Sequence, residues 1–574
     1  MFIHTKMESN YDKTPSTHVD GCVICGWEAI AQELGSQAGS PVALDMYTGV
    51  YEQSVVDALR PSFEKIILTR TLMKEEVLVR HMTQPFMTDD VLFGYLTSLR
   101  MEDFFDREKL EKARREAGPG TLIAGPGAAL AMPEDAVLVY ADMARWEIQQ
   151  RMRRHQVMGL GTDNREDPVS IQYKRGLFID WRVLDYYKDK LFGRVKWWLD
   201  TNDASLPKMI DSETFLAGMA RTARKPFRVV PFFDPAPWGG QWMKEVCDLD
   251  RGVNNYGWCF DCVPEENSLL LEVDGVQVEF PANDLVLLHS RELLGEPVEA
   301  RFGKDFPIRF DFLDTMGGGN LSLQVHPTTQ FIREQFGMPY TQDESYYILD
   351  AGPGASVFLG VKTGVDSAAM LEDLRAAQRG EKPFEAEKYV NRLPARKHDH
   401  FLIPGGTIHC SGAGAMVLEI SATPNLFTFK LWDWGRMGLD GKPRPINIER
   451  GSKVIRWERD TEYVRDHLAH HFEPLAKGEG WEEIRTGLHP AEFIETRRMR
   501  FSVPVTFPTG DSVQVLNLVE GHEAVVESPD GRFDPFTVHY AETFIIPACV
   551  EKFTLRPAAG ETCMTIRAYV RHNA

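Results

Sequence analysis

A proline- and glycine-rich stretch, KPFRVVPFFDPAPWGGQWM at residues 225–243, cannot be crossed by one regular element, so it divides the chain into parts of different texture. Ahead of it, apolar strands alternate with amphipathic helices. SPVALDMYTGVYEQSVVDAL starts on a short strand ending at Asp45 and runs into a helical period. FEKIILTRTL and DAVLVYADMARWEIQQRMRRH repeat that theme. The alternation predicts a parallel α/β sheet within residues 1–225. The aromatic run RGLFIDWRVLDYYKDKLFGRVKWWLD is expected to close this part as a helical connector.

Behind the break the texture is β. Strands such as SLLLEVDGVQVEF, LSLQVHP, SYYILDAGPGASVFLGV, HFLIPGGTIHC and GAMVLEIS are short and separated by glycine and proline turns, as in barrels and sandwiches. A helical insert is expected at about residues 365–395. FLIPGGTIHCSGAG is echoed near the end by FIIPACVEKFTLRPAAG, which lacks the histidine. Two related barrels follow, at 226–474 and 475–574, with only the first equipped for metal.

At 574 residues the chain is too long for one core, and about three or four domains are expected. Lys and Arg total 64 against 84 Asp and Glu, a net charge of −20. Such a surface repels nucleic acid and anionic membranes, so neither is expected as a partner. A local group of cations can still bind an anionic small molecule. No segment offers the roughly 20 apolar residues that cross a bilayer, and a cytoplasmic location is expected. Two CxxC pairs, Cys22/Cys25 and Cys259/Cys262, lie far apart in the chain and are expected to be reduced, structural thiols rather than one zinc site.

The chemistry concentrates in NLSLQVHPTT. In a strand, residues two apart face the same side, so Gln324 and His326 point together. Glu344 opens the apolar strand of QDESYYIL, and His409 ends IPGGTIHC. Two imidazoles, a carboxylate and an amide oxygen suit Zn²⁺, or Fe²⁺, Mn²⁺ or Co²⁺, with a position left open for substrate. Taken singly, a histidine at a strand end reads as an ordinary hydrogen-bonded residue.

A series of motifs changes that balance: PWGG at 237–240, ELLG at 292–295, LSLQVHP at 321–327, ESYYILDAGPGA at 344–355, IPGGTIHCSGAG at 403–414 and FTFKLWDWGR at 427–436. In this order they resemble the type I mannose-6-phosphate isomerases, or phosphomannose isomerases, which are metal-dependent cupins interconverting mannose 6-phosphate and fructose 6-phosphate. The tail after residue 475 resembles that family's second cupin half. The resemblance implies an all-β double cupin of jelly-roll barrels, a hexose 6-phosphate substrate, and one Zn²⁺ or other divalent ion held by Gln324, His326, Glu344 and His409. Isomerisation through a cis-enediol needs a cation beside the developing oxyanion. Lys430 is expected to serve there, although it stands where the family has an arginine and lacks the bidentate fork. Gln342 stands where the family has a lysine, and YGWCFDC replaces the family's GESW. Arg436 is a further cation or one half of an ion pair.

The first part resembles the P-loop kinase class in AVLVYADMARWEIQQRMRR. It has no GxxxxGK[ST], and GPGTLIAGPGAAL reads as a pair of turns. A kinase-like domain without phosphotransferase chemistry is expected. Two other functions fit the sequence: a non-catalytic metal-containing cupin binding a sugar or sugar phosphate, and a bifunctional protein with an active N-terminal phosphotransferase.

Overall fold

The computed structural model describes residues 9–423, 427–437 and 446–571. The first part is built on a seven-stranded sheet in the order Val23–Cys25, Lys208–Asp211, Val195–Asp200, Val137–Asp142, Val42–Met46, Thr121–Gly125, Lys65–Leu68. The last five are mutually parallel, and the first two close one edge antiparallel. Val42–Met46 is buried at every position, as a central parallel strand covered on both faces must be.

The carboxyl ends of these strands are filled by the protein's own side chains. Asp45 accepts hydrogen bonds from the amides of Gly127 and Ala129, both at 2.9 Å, and from the Tyr187 hydroxyl at 2.8 Å. Beside it, the Lys188 ammonium lies 2.8 Å from Asp142 and 2.5 Å from Asp284, all three buried. The helical connector expected after residue 150 is only partly helical. Val169–Arg175 and Trp181–Lys188 are helices, but Val195–Asp200 is a strand inside the sheet. Trp198 explains the difference: it is fully buried, with its ring centroid 4.0 Å from that of Phe215, so the aromatic run packs as a two-sided strand.

A second departure concerns SLLLEVDGVQVEF. Its strand Ser268–Val273 pairs with Ser16–His18 on one side and Val276–Pro281 on the other, in a separate three-stranded sheet. Helices Ala282–Leu294 and Glu296–Phe302 follow before the barrel resumes.

That barrel is two facing sheets. One has six strands in the order His400–Ile403, Glu344–Ala351, Ala415–Ala422, Ile308–Asp314, Trp258–Cys262, Phe232–Asp234. The other has five: Val390–Pro394, Ser356–Val361, His409–Ser411, Leu323–Val325, Phe429–Trp432. Helix Ser367–Gln378 leaves the barrel between Ser356–Val361 and Val390–Pro394. The C-terminal part repeats the plan with sheets of six and four strands around their own core, which includes Phe501, Phe544, Phe553 and Leu516. Among the described residues no helix is long and apolar enough to cross a membrane.

The two β parts meet at His400. A Cβ on Gly487 would lie 3.2 Å from the His400 ring and 2.8 Å from Leu402, so glycine is what allows this approach. Both ring nitrogens of His400 are buried without a hydrogen-bond partner among the described residues. Burial, reinforced by Arg498 and His470, pushes its pKa down from 6.5 to about 3. Because the folded pKa is depressed, the unfolded chain takes up a proton near 6.5 that the native state refuses, and stability is lost as pH falls toward 3. Replacing His400 by Phe is expected to remove about 3 kcal/mol of the stability lost on acidification to about pH 4. Thermal melts of both proteins across that range check this. Parallel pH profiles would remove His400 from the account.

Candidate metal centre

Leu323–Val325 sits mid-sheet, with Gln324 in register with His409 on one side and Lys430 on the other. The chain then leaves the sheet at Pro327, which has no N–H to continue a ladder. The carbonyl of His326 is held by the amide of Gly406 at 2.8 Å, which brings the turn before His409 against it. Glu344 comes from the opposite sheet, as the first residue of its strand.

These residues converge. His326 Nε2 lies 3.0 Å from Glu344 Oε2, and His409 Nε2 lies 2.7 Å from Glu344 Oε1. One donor atom from each lies within 4.8 Å of the others, and all three residues are buried. The Gln324 side-chain amide approaches His409 Nε2 at 3.3 Å, and a half-turn of that amide puts its oxygen in the same place. Of the four residues expected from the sequence, all meet at this point.

The donor set fits a divalent ion on three counts. His326 Nδ1 bonds the Phe427 carbonyl at 3.1 Å and His409 Nδ1 the Thr407 carbonyl at 2.9 Å, so each Nδ1 carries a hydrogen and each Nε2 is the inward-facing atom, able to ligate once deprotonated. His326 Nε2 and Glu344 Oε1 are buried, and neither makes a hydrogen bond of proper geometry despite the short separations. Buried polar atoms left that way call for an explanation, and two from facing side chains, turned toward each other, fit a bound cation. Two imidazoles, a carboxylate and an amide oxygen also match the donor preference of zinc and its neighbours.

The electrostatics agree. Burial alone would raise the Glu344 carboxyl, but the His326 and His409 imidazoles outweigh it and hold the group well below the usual carboxylate range. His326 is correspondingly raised, since Glu344 overcomes the effect of burial on the imidazole. Behind Glu344 stands a second carboxyl, Glu419. Burial, together with the nearby Glu344 and Asp311, pushes Glu419 well above its ordinary value. The Gln342 amide bridges the two, donating to Glu344 Oε2 at 3.0 Å and to Glu419 Oε1 at 3.3 Å. Two carboxyls side by side whose environments push them in opposite directions are a pairing that acid–base chemistry uses. Glu419 did not emerge from the motifs. Its signal was a lone carboxylate in AMVLEISA, a strand buried at every position.

Gln324, alone of the four, also lines a cleft of about 230 Å³. Lys430, Ser322, Trp238, Trp258 and Asp234 also line it, so the expected Lys430 stands on its wall. Trp258, from the YGWCFDC departure, meets Trp238 edge-on at 5.2 Å. Gln342 is not at the cleft but in the carboxylate network behind the ligands. Arg436 is engaged with Asp433 at 2.5 Å and with the Asn320 carbonyl at 2.7 Å, which makes it a structural ion pair. Cys259 and Cys262 are buried and Cys22 and Cys25 exposed. Among the described residues none of these cysteines joins a metal-binding group.

Comparison with known proteins adds four likenesses. A family described as "Domain of unknown function (DUF8485)" matches residues 26–224. Mannose-6-phosphate isomerase ManA of Bacillus subtilis (strain 168) is 26% identical over 250 residues, 43% of this chain and 72% of that protein. The mannose-6-phosphate isomerase of Streptococcus mutans serotype c is 27% identical over 220 residues, 38% of this chain and 64% of that protein. Of solved structures, the mannose 6-phosphate isomerase from Bacillus subtilis is 18% identical with a TM-score of 0.49, covering 60% of this chain and 100% of that one.

Proposed function

We propose that this chain is a metal-dependent isomerase that interconverts mannose 6-phosphate and fructose 6-phosphate, with Gln324, His326, Glu344 and His409 holding one zinc or similar divalent ion. The observation that carries the reading is the convergence of His326, Glu344 and His409, each imidazole fixed through Nδ1. The curated relatives named mannose-6-phosphate isomerase support it.

The reaction moves a proton between adjacent carbons of the open-chain sugar and passes through a cis-enediol. A divalent ion at this centre supplies electrophilic stabilisation of the oxygen on which charge develops. Lys430 adds a fixed ammonium on the cleft wall, in register with Gln324, where phosphate or enediolate oxygens need a counter-charge. Trp238 and Trp258 offer apolar faces to the sugar carbons and exclude water from that side. Glu344 lies between the two Nε2 atoms, which the Nδ1–carbonyl bonds turn inward.

On this reading residues 226–474 form the isomerase barrel, 475–574 a metal-free cupin, and 1–225 a kinase-like domain without phosphotransferase activity, the whole acting in the cytoplasm. The silence of the first domain is supported by the missing phosphate-binding lysine. A second reading, a cupin that binds the sugar phosphate without turning it over, is favoured by Gln342, which puts an amide where the family has a cation.

One experiment separates the two. Metal-replete protein incubated with mannose 6-phosphate is expected to form fructose 6-phosphate, and a chelator is expected to abolish it. Binding of mannose 6-phosphate with no ketose formed would sink the isomerase reading in favour of the second.

A further inference from the structure

We infer that Phe93, in the N-terminal part of the chain, is a positioning residue for His326. The inference rests on His326 being a metal ligand and assigns the N-terminal part a role at that site.

The two imidazoles are anchored differently. His409 bonds a carbonyl two residues away, in its own turn, where the Thr407 hydroxyl is itself tied to Pro404. His326 bonds the carbonyl of Phe427, distant in sequence and ahead of the strand Phe429–Trp432. Among the described residues Phe427 lies in no strand, and three rings pack on it, two of them from the N-terminal part. Phe93 stacks on Phe427 at 5.9 Å with an interplanar angle of 16°, Phe178 meets it edge-on at 5.9 Å, and Phe336 of the barrel packs at 4.7 Å. Phe93 also meets Phe336 at 5.4 Å and Phe429 edge-on at 5.3 Å.

Phe93 lies outside regular structure yet is 1% exposed, and its loop is built to deliver it. Asp90 Oδ1 accepts the amides of Leu92 and Phe93, both at 2.7 Å, and the Thr88 hydroxyl donates to the Phe93 carbonyl at 2.7 Å. Asp90 Oδ2 pairs with Arg450 of the barrel at 2.7 Å, and the Leu96 amide donates to the Phe336 carbonyl at 3.1 Å. At Gly94 a Cβ would lie 2.7 Å from the Phe86 carbonyl oxygen and 2.8 Å from the Phe178 ring, so the chain passes there only as glycine. The loop therefore clamps onto the barrel from both sides of Phe93. Groups that orient a ligating imidazole through its other nitrogen set the direction of its lone pair.

The test compares Co²⁺ binding by the full-length wild type, Phe93→Ala and Phe93→Leu, using competition with a chromophoric chelator and the visible spectrum of the bound ion. Phe93→Ala is expected to bind Co²⁺ about 10-fold more weakly, the low end for groups behind a ligand, and with altered visible bands. Phe93→Leu, which keeps most of the volume, is expected to recover much of the affinity. Phe215→Ala removes an equivalent ring stacked on Trp198 and is expected to leave Co²⁺ affinity and spectrum as in wild type. Should Phe93→Ala not fold, Phe93→Val serves as the milder truncation, with a smaller loss expected. Wild-type affinity and spectrum in the folded Phe93 truncation, or equal losses in Phe215→Ala, would overturn the inference. A wild type that binds no Co²⁺ would overturn the ligand assignment beneath it, a result distinct from both.

Discussion

His326→Ala is expected to leave a protein that retains no stoichiometric divalent metal after gel filtration and forms no measurable fructose 6-phosphate. The loss of metal affinity should exceed the ~10–100-fold seen when only a group behind a ligand is removed, because a donor is lost outright. The substitution acts on stability as well. Glu344 is buried and held ionised by two imidazoles, and removing one leaves part of a buried charge uncompensated, a change that costs roughly 3–5 kcal/mol when a buried pair is broken completely. A thermal melt therefore belongs beside the metal analysis. Glu344→Gln separates the two effects, since it removes the anion together with the ion-pair demand. Equal metal content in wild type and His326→Ala would refute the ligand assignment directly.

Lys430→Met is expected to lower kcat/KM for mannose 6-phosphate by about 10²–10³-fold, the range for losing one fixed electrostatic stabiliser of a developing oxyanion. Bound metal should remain at the wild-type level, because Lys430 lines the cleft and is not among the converging donors. Lys430→Arg keeps the charge and adds the planar fork, so it should restore a large part of the activity. Wild-type turnover by Lys430→Met would remove this residue from the mechanism. Loss of metal in the same variant would instead place it with the ligands.

Much of the centre was legible before any fold was known. Gln324 and His326 are two apart in a strand and had to share a side, and motif order placed Glu344 and His409 with them. Other features were readable only in part. The aromatic run around Trp198 looked like a helical connector because helix and buried strand are both apolar there, and the stacking on Phe215 settled it as a strand. Glu419 was visible as a letter in an apolar strand, but its upward pKa shift comes from burial together with Glu344 and Asp311, which lie on neighbouring strands.

The sequence by itself determined that Gln324 and His326 share a side, which follows from the two-residue period of a strand and is local. The expected donor set and the departures at Gln342 and Lys430 came from the order of motifs that resemble the isomerase family. Only the tertiary structure decided that Glu344 reaches both imidazoles from the opposite sheet, that Gln342 turns to the carboxylates rather than the cleft, and that Phe93 stacks on the residue whose carbonyl holds His326. Those distances are set by close packing between segments far apart in the chain, where no local period operates.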